Sequence, residues 1–158
     1  MPTKVSFFMW TTTLGRTITT DNLWKHRVVV LDWCCMCKKD GEYIDHLLLR
    51  CHVAKELWNM VFSLFGVHWV MPCHVVDLLA SWSYECSRCK SLVIWSMIPH
   101  CIMWGIWRER NAHTFEGCEI STHDMKFFLQ TLLEWKNSSG VFTFNSLTDL
   151  LDSCSFLF

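Results

Sequence analysis

Between residues 34 and 51 the chain reads CCMCKKDGEYIDHLLLRC, and no other stretch restricts the possible folds as much. It holds Cys34, Cys37, His46 and Cys51 in the pattern C-x2-C-x8-H-x4-C. Two cysteines at that spacing can clamp one ion from a single tight turn, and a His and a Cys five positions apart can add two donors from the first turns of the helix that follows. Three thiolates and one imidazole, with no carboxylate and no open position, favour a closed tetrahedral zinc ion in a structural role over a catalytic one. Such an ion would hold the knuckle to the helix that begins near Ile44, and structural zinc contributes on the order of 10 kcal/mol in small folds, much of it as folding free energy. The competing reading is a set of ordinary buried cysteines with a core histidine, because free Cys is among the most buried residue types. Cys35 and His52 adjoin the four and are read as bystanders. Cys35 lies two positions from Cys37, a poor spacing for clamping one ion, and His52 would leave the helical face of His46.

Ten cysteines in 158 residues could also signal a disulfide framework. The opening MPTKVSFFMWTTTLGR lacks the continuous apolar stretch and small-residue cleavage site of a signal peptide, so an intracellular chain, nuclear or cytoplasmic, is expected. The most apolar segment, residues 92–107, is short for a bilayer crossing and carries Pro99 and His100 at its centre. With 51% hydrophobic and only 18% charged residues, the chain has ample material for one core, and disorder is disfavoured. A formal net charge of −1 gives no bulk support for nucleic-acid binding, which would have to come from local Lys and Arg clusters.

The pattern along the chain predicts a mostly α fold: a small helical domain with a Cys-Cys-His-Cys knuckle packed on a long amphipathic helix. A short helix is expected from about Asp21, then an extended piece at 28–31 and a polar turn at 38–42, tightest at Gly41. Apolar residues at steps of three and four predict one amphipathic helix over 44–65, stopped by Gly66. A short helix over Val75–Trp82 and a long one over Leu92–Asn111, bent at Pro99, follow. Ser121, Thr122, His123 and Asp124 offer caps for a run over 125–135, and the tail beyond is indistinct.

Other candidates carry less. Cys86 and Cys89 repeat the C-x2-C spacing without a downstream pair, and a redox role lacks the strand-to-helix setting that lowers a thiol pKa. Trp58, Trp82, Trp95, Trp104, Trp107 and Trp135 could be a stacking platform for single-stranded nucleic acid, but they alternate with Leu, Ile, Val and Met, which predicts core. Lys25, His26, Arg27, Arg108 and Arg110 are read as solvated helix ends. No polymerase-type carboxylate pair, Gly-rich phosphate loop or Ser-His-Asp arrangement is present, so no catalytic residue is expected.

The order of PTKVSFFMW, GRTITTDNLWKHR, CCMC with HLLLRC, ELW, FGVHWV and IPHCIMWGIWRERNAHTFE resembles the zinc-binding domain found downstream of the reverse transcriptase in plant non-LTR (LINE-type) retrotransposons. The likeness runs over about residues 2–116. It implies a zinc-binding-like domain over 1–116 and a C-terminal helical extension over 117–158, with Cys34, Cys37, His46 and Cys51 as the zinc ligands. It further implies a non-catalytic module of a retrotransposon-derived polyprotein that assists a reverse transcriptase with RNA or DNA. Membrane and small-molecule partners are not expected. The palm domain with its catalytic aspartates, an endonuclease and a ribonuclease H segment are all expected to be absent, as in a gene fragment or domesticated remnant. The alternatives are a structural or protein-interaction remnant that binds zinc but no nucleic acid, and a thiol-redox protein using Cys86 and Cys89.

Overall fold

The computed structural model describes residues 1–28, 33–64, 67–82 and 92–116, and among these every regular element is helical. Most of the extended piece at 28–31, the stop at Gly66, the Cys86/Cys89 pair, the run over 125–135 and the extension over 117–158 lie outside the described residues.

Helix α1 (Thr3–Thr13) follows Pro2, whose carbonyl accepts the N–H groups of Val5 and Ser6 at 3.0 and 3.1 Å. Its buried residues Val5, Phe8, Met9 and Thr12 recur at steps of three and four, the spacing of one helical face. Past the C-cap Leu14 the chain turns at Gly15, whose φ of +64° is a left-handed conformation that glycine adopts without Cβ strain. Arg16 and Gly15 then donate their N–H groups back to the carbonyls of Thr11 and Thr12 at 2.8 and 3.0 Å. Helix α2 (Thr20–Lys25), expected from Asp21, closes in the same way with Arg27 at φ +60°. The Asn22 side-chain amide donates to the carbonyls of Gly15 and Thr17 at 2.9 and 2.7 Å, tying α2 to the loop before it.

After the knuckle come a π-type turn, π1 (His46–Arg50), helix α3 (His52–Leu64), helix α4 (Val75–Trp82), helix α5 (Leu92–Asn111) and a second π-type turn, π2 (Ala112–Glu116). The expected α4 and α5 are thus present, and α5 continues through Pro99 as one helix. A proline there has no N–H to offer the carbonyl of Trp95 one turn earlier. Trp82 supplies a donor instead: its indole N–H reaches the Trp95 carbonyl at 2.9 Å while the two rings stack with centroids 4.5 Å apart. Trp58 packs against Phe62 and Trp82 and donates its N–H to the Leu48 carbonyl at 2.9 Å. Phe8 lies between Trp104 and Trp107, 5.5 Å from each, and so fastens α1 to α5. Trp58, Trp82 and Trp95 are therefore core, Trp104 and Trp107 pack at its edge, and Trp135 is outside the described residues. Among the described residues no helix is long and apolar enough to cross a membrane.

Two expectations need correction. The single helix over 44–65 is divided at Cys51, which leaves the helical conformation (φ −52°, ψ 137°) between π1 and α3. The apolar period continues across the break because Leu47, Leu48, Leu49, Ala54 and Trp58 all face one core, so the pattern alone could not reveal it. Arg110 is no solvated helix end: it is 2% exposed and paired with Glu42, which is 1% exposed. The other four basic helix-end residues, Lys25, His26, Arg27 and Arg108, are exposed as expected.

Candidate metal centre

The knuckle forms because Cys34 closes a turn on itself. Its carbonyl accepts the N–H of Lys38 at 2.8 Å, and its own N–H donates to the Asp40 carbonyl at 2.6 Å. Lys38 adopts φ +55°, so the tight point of the turn, expected at Gly41, falls on a lysine. Inside the turn the backbone N–H groups of Cys37 and Met36 are directed at the Cys34 sulfur.

His46 and Cys51 bracket π1. On an ideal α-helix, residues five apart are rotated by about 140° from one another, at roughly 100° per residue, and would face apart. The wider turn removes that problem, because the Cys51 N–H bonds to the His46 carbonyl at 2.6 Å, closing a loop of five rather than four. Cys51 then caps α3: its carbonyl accepts the Lys55 N–H at 2.9 Å, and the N–H groups of Val53 and Ala54 are directed at its sulfur.

The result is that one ligand atom from each of Cys34, Cys37, His46 and Cys51 lies within 4.8 Å of all the others. The Cys37 sulfur and His46 Nε2 are 3.3 Å apart. All four residues are buried, Cys34 completely. The Cys51 thiol and burial together push the Cys34 thiol up, whereas Cys34 pulls Cys51 down, so of these two Cys51 ionises first. Burial lowers the His46 pKa and favours the neutral imidazole, the form that can donate a lone pair to a metal. Backbone N–H groups aimed at two sulfurs, a neutral imidazole and the absence of a carboxylate among the four make a donor set positioned to bind a metal ion.

Cys35 and His52 stand apart from this group. His52 is exposed at the start of α3. The Cys35 thiol faces Glu42 Oε2 and the Arg110 carbonyl, each at 3.8 Å, and accepts from the Thr114 hydroxyl at 3.7 Å.

Sequence reasoning missed the support behind the knuckle. Glu42 accepts three charge-assisted contacts from Arg110: Nη2 at 2.7 Å and Nε at 3.1 Å to Oε1, and Nε at 3.2 Å to Oε2. Glu42 Oε1 also accepts the Thr20 N–H at 3.1 Å, and its carbonyl accepts from Asp21 N–H and the Thr20 hydroxyl. The Arg110 guanidinium lies over Trp107, 5.1 Å from the ring centroid. One carboxylate thereby joins the knuckle to α2 and to the end of α5. Asp45 plays a comparable part, accepting from the Val75 N–H at the start of α4 at 2.9 Å and facing His74 Nδ1 at 2.8 Å. The WRERN segment held the only signal for Arg110, since nothing in its spacing separates a buried arginine from an exposed one.

Residues 1–58 match a protein-family model described as zinc-binding in reverse transcriptase. All four clustered residues fall inside that span, whereas the likeness read over 59–116 lies beyond it. No curated protein and no solved structure matches the chain. In its first 58 residues, then, this chain is similar to the zinc-binding domain of reverse transcriptases.

Proposed function

We propose that Cys34, Cys37, His46 and Cys51 hold one zinc ion, and that the chain is a non-catalytic module of a retrotransposon-derived, LINE-type plant protein that assists a reverse transcriptase in handling nucleic acid. The convergence of the four side chains carries this reading. A tetrahedral zinc with bonds of about 2.0–2.3 Å brings its donors to about 3.5–3.8 Å of one another, and a group already within 4.8 Å needs only a small contraction. Bound there, zinc would act as a cross-link and supply no open position for substrate. The residues do the rest: the knuckle's N–H groups stabilise the sulfurs, His46 stays neutral, and π1 turns His46 and Cys51 to the same side. Residues 1–116 form the zinc-binding unit in this reading, and it operates inside the cell.

A second reading, a structural or protein-interaction remnant that binds zinc but no nucleic acid, is favoured by the formal net charge of −1. Metal analysis of the wild type beside Cys37→Ser and His46→Ala tests the zinc assignment. One zinc per wild-type chain, and loss of metal and helical content in both variants, is expected; full occupancy in both would overturn it. Retention on RNA that weakens steeply with salt separates the two readings, since the remnant would show no such dependence.

A further inference from the structure

We infer that the exposed rim of the metal knot is a single-strand nucleic-acid surface, in which Trp33 and Tyr43 stack on bases while Lys38, Lys39 and Arg50 meet phosphates. This rests on the nucleic-acid reading above and specifies where contact is made.

The rim is set by the knot itself. Trp33 precedes Cys34, Lys38 and Lys39 follow Cys37, Tyr43 lies with its ring 5.7 Å from that of His46, and Arg50 precedes Cys51. Each of the five therefore lies within three positions along the chain of one of the four clustered donors, which themselves lie within 4.8 Å of one another. Each is exposed, Trp33 by 50% and Tyr43 by 38%. Tyr43 rests against His46 and its hydroxyl meets Arg50, yet both it and Trp33 stay exposed and offer aromatic surface on which a base can stack. Arg50 Nη1 also lies 3.4 Å from the Tyr43 hydroxyl, which sets a cation beside a ring.

The acidic residues of the same stretch are mostly occupied. Among the described residues of 33–50, Glu42 is buried against Arg110 and Asp45 is held by His74 and the start of α4, so Asp40 is the exposed carboxylate beside the exposed Lys38, Lys39 and Arg50. The local charge is therefore positive although the chain as a whole is not. Cations with interleaved aromatics match a strand that offers both phosphates and unpaired bases. A duplex hides its base faces and fits the rim poorly. Of the aromatics considered for stacking, Trp58, Trp82 and Trp95 are core and Trp104 and Trp107 pack at its edge, so the exposed pair differs from every described residue in that set.

The test uses the zinc-loaded full chain and an oligo-uridylate of about twelve nucleotides, alone and annealed to oligo-adenylate, with binding followed by fluorescence anisotropy. Three phosphate contacts predict a log–log salt slope of about −2, and Lys38→Gln, Lys39→Gln and Arg50→Gln should each reduce it by about 0.7. Trp33→Ala should weaken single-strand binding by about tenfold, with zinc content unchanged as proof that the knot persists. Binding that is unaffected by Trp33→Ala and by the three cation variants, or equal for the duplex, would overturn the rim assignment while leaving nucleic-acid binding in place. No binding by the zinc-loaded chain would overturn both.

Discussion

Replacing Arg110 by methionine isolates the ion pair that joins the knuckle to α5. Methionine keeps an aliphatic stem of similar reach against Trp107 but removes every donor, leaving Glu42 Oε1 with the Thr20 N–H at 3.1 Å and no cation. Both side chains of the native pair are almost fully out of water, 3% and 1% exposed, so the remaining carboxylate cannot recover its hydration without local opening. Breaking such a pair costs about 3–5 kcal/mol, against a total stability of about 5–15 kcal/mol for a domain. With a urea m-value of about 2 kcal/mol/M, the unfolding midpoint of the metal-loaded chain should fall by about 2 M when read by tryptophan fluorescence. The double variant Glu42→Leu/Arg110→Met removes both charges and should recover to within about 1 kcal/mol of wild type. If Arg110→Met shifts the midpoint by less than about 0.3 M, or the double variant costs the sum of the two single ones, the pair does not hold the knuckle in the way described.

Trp82→Phe should cost about 1–3 kcal/mol by removing the donor to the Trp95 carbonyl, and a smaller amount in a Pro99→Ala background where the backbone regains an N–H; equal costs in both backgrounds, by urea titration, would contradict the pairing. Gly15→Ala should destabilise by about 1 kcal/mol through its φ of +64° alone, as nothing lies within 4 Å of the added Cβ, whereas Lys38→Gly should stabilise by up to about 1 kcal/mol because it relieves φ +55°. Burial depresses the His46 pKa in the folded chain, so the unfolded state takes up the proton first: stability and metal retention are intact above the unfolded value of 6.5 and decline as pH falls through it. Metal content after dialysis against a mild chelator at descending pH checks this, and retention unchanged down to about pH 5 would contradict it.

The clustering of Cys34, Cys37, His46 and Cys51 was legible from spacing because metal donors obey a local rule: two thiols three positions apart and a His/Cys pair nearby can reach one point where the backbone turns both pairs inward. The helices over Val75–Trp82 and Leu92–Asn111 were legible for a similar reason, since their apolar periods are local. What spacing could not convey was the backbone at Cys51. The apolar period runs unbroken over 44–65, and only the requirement that His46 and Cys51 face one centre demands a π-type turn and a break. Arg110 was illegible because its partner lies 68 positions away, and a helix-end arginine reads the same whether it meets water or a buried carboxylate. Lys38 took the left-handed position because hydrogen bonds from Cys34 and Lys38 fix the turn there, outweighing the preference for Gly41.

The central claim is a single zinc held by three sulfurs and one nitrogen, and X-ray absorption at the zinc edge of the purified chain reads that shell directly. Three sulfur neighbours at about 2.3 Å and one nitrogen at about 2.0–2.1 Å are expected, with one sulfur lost in any metal retained by Cys51→Ser. A shell dominated by oxygen, or one with two sulfurs or fewer in the wild type, would contradict the assignment of Cys34, Cys37, His46 and Cys51.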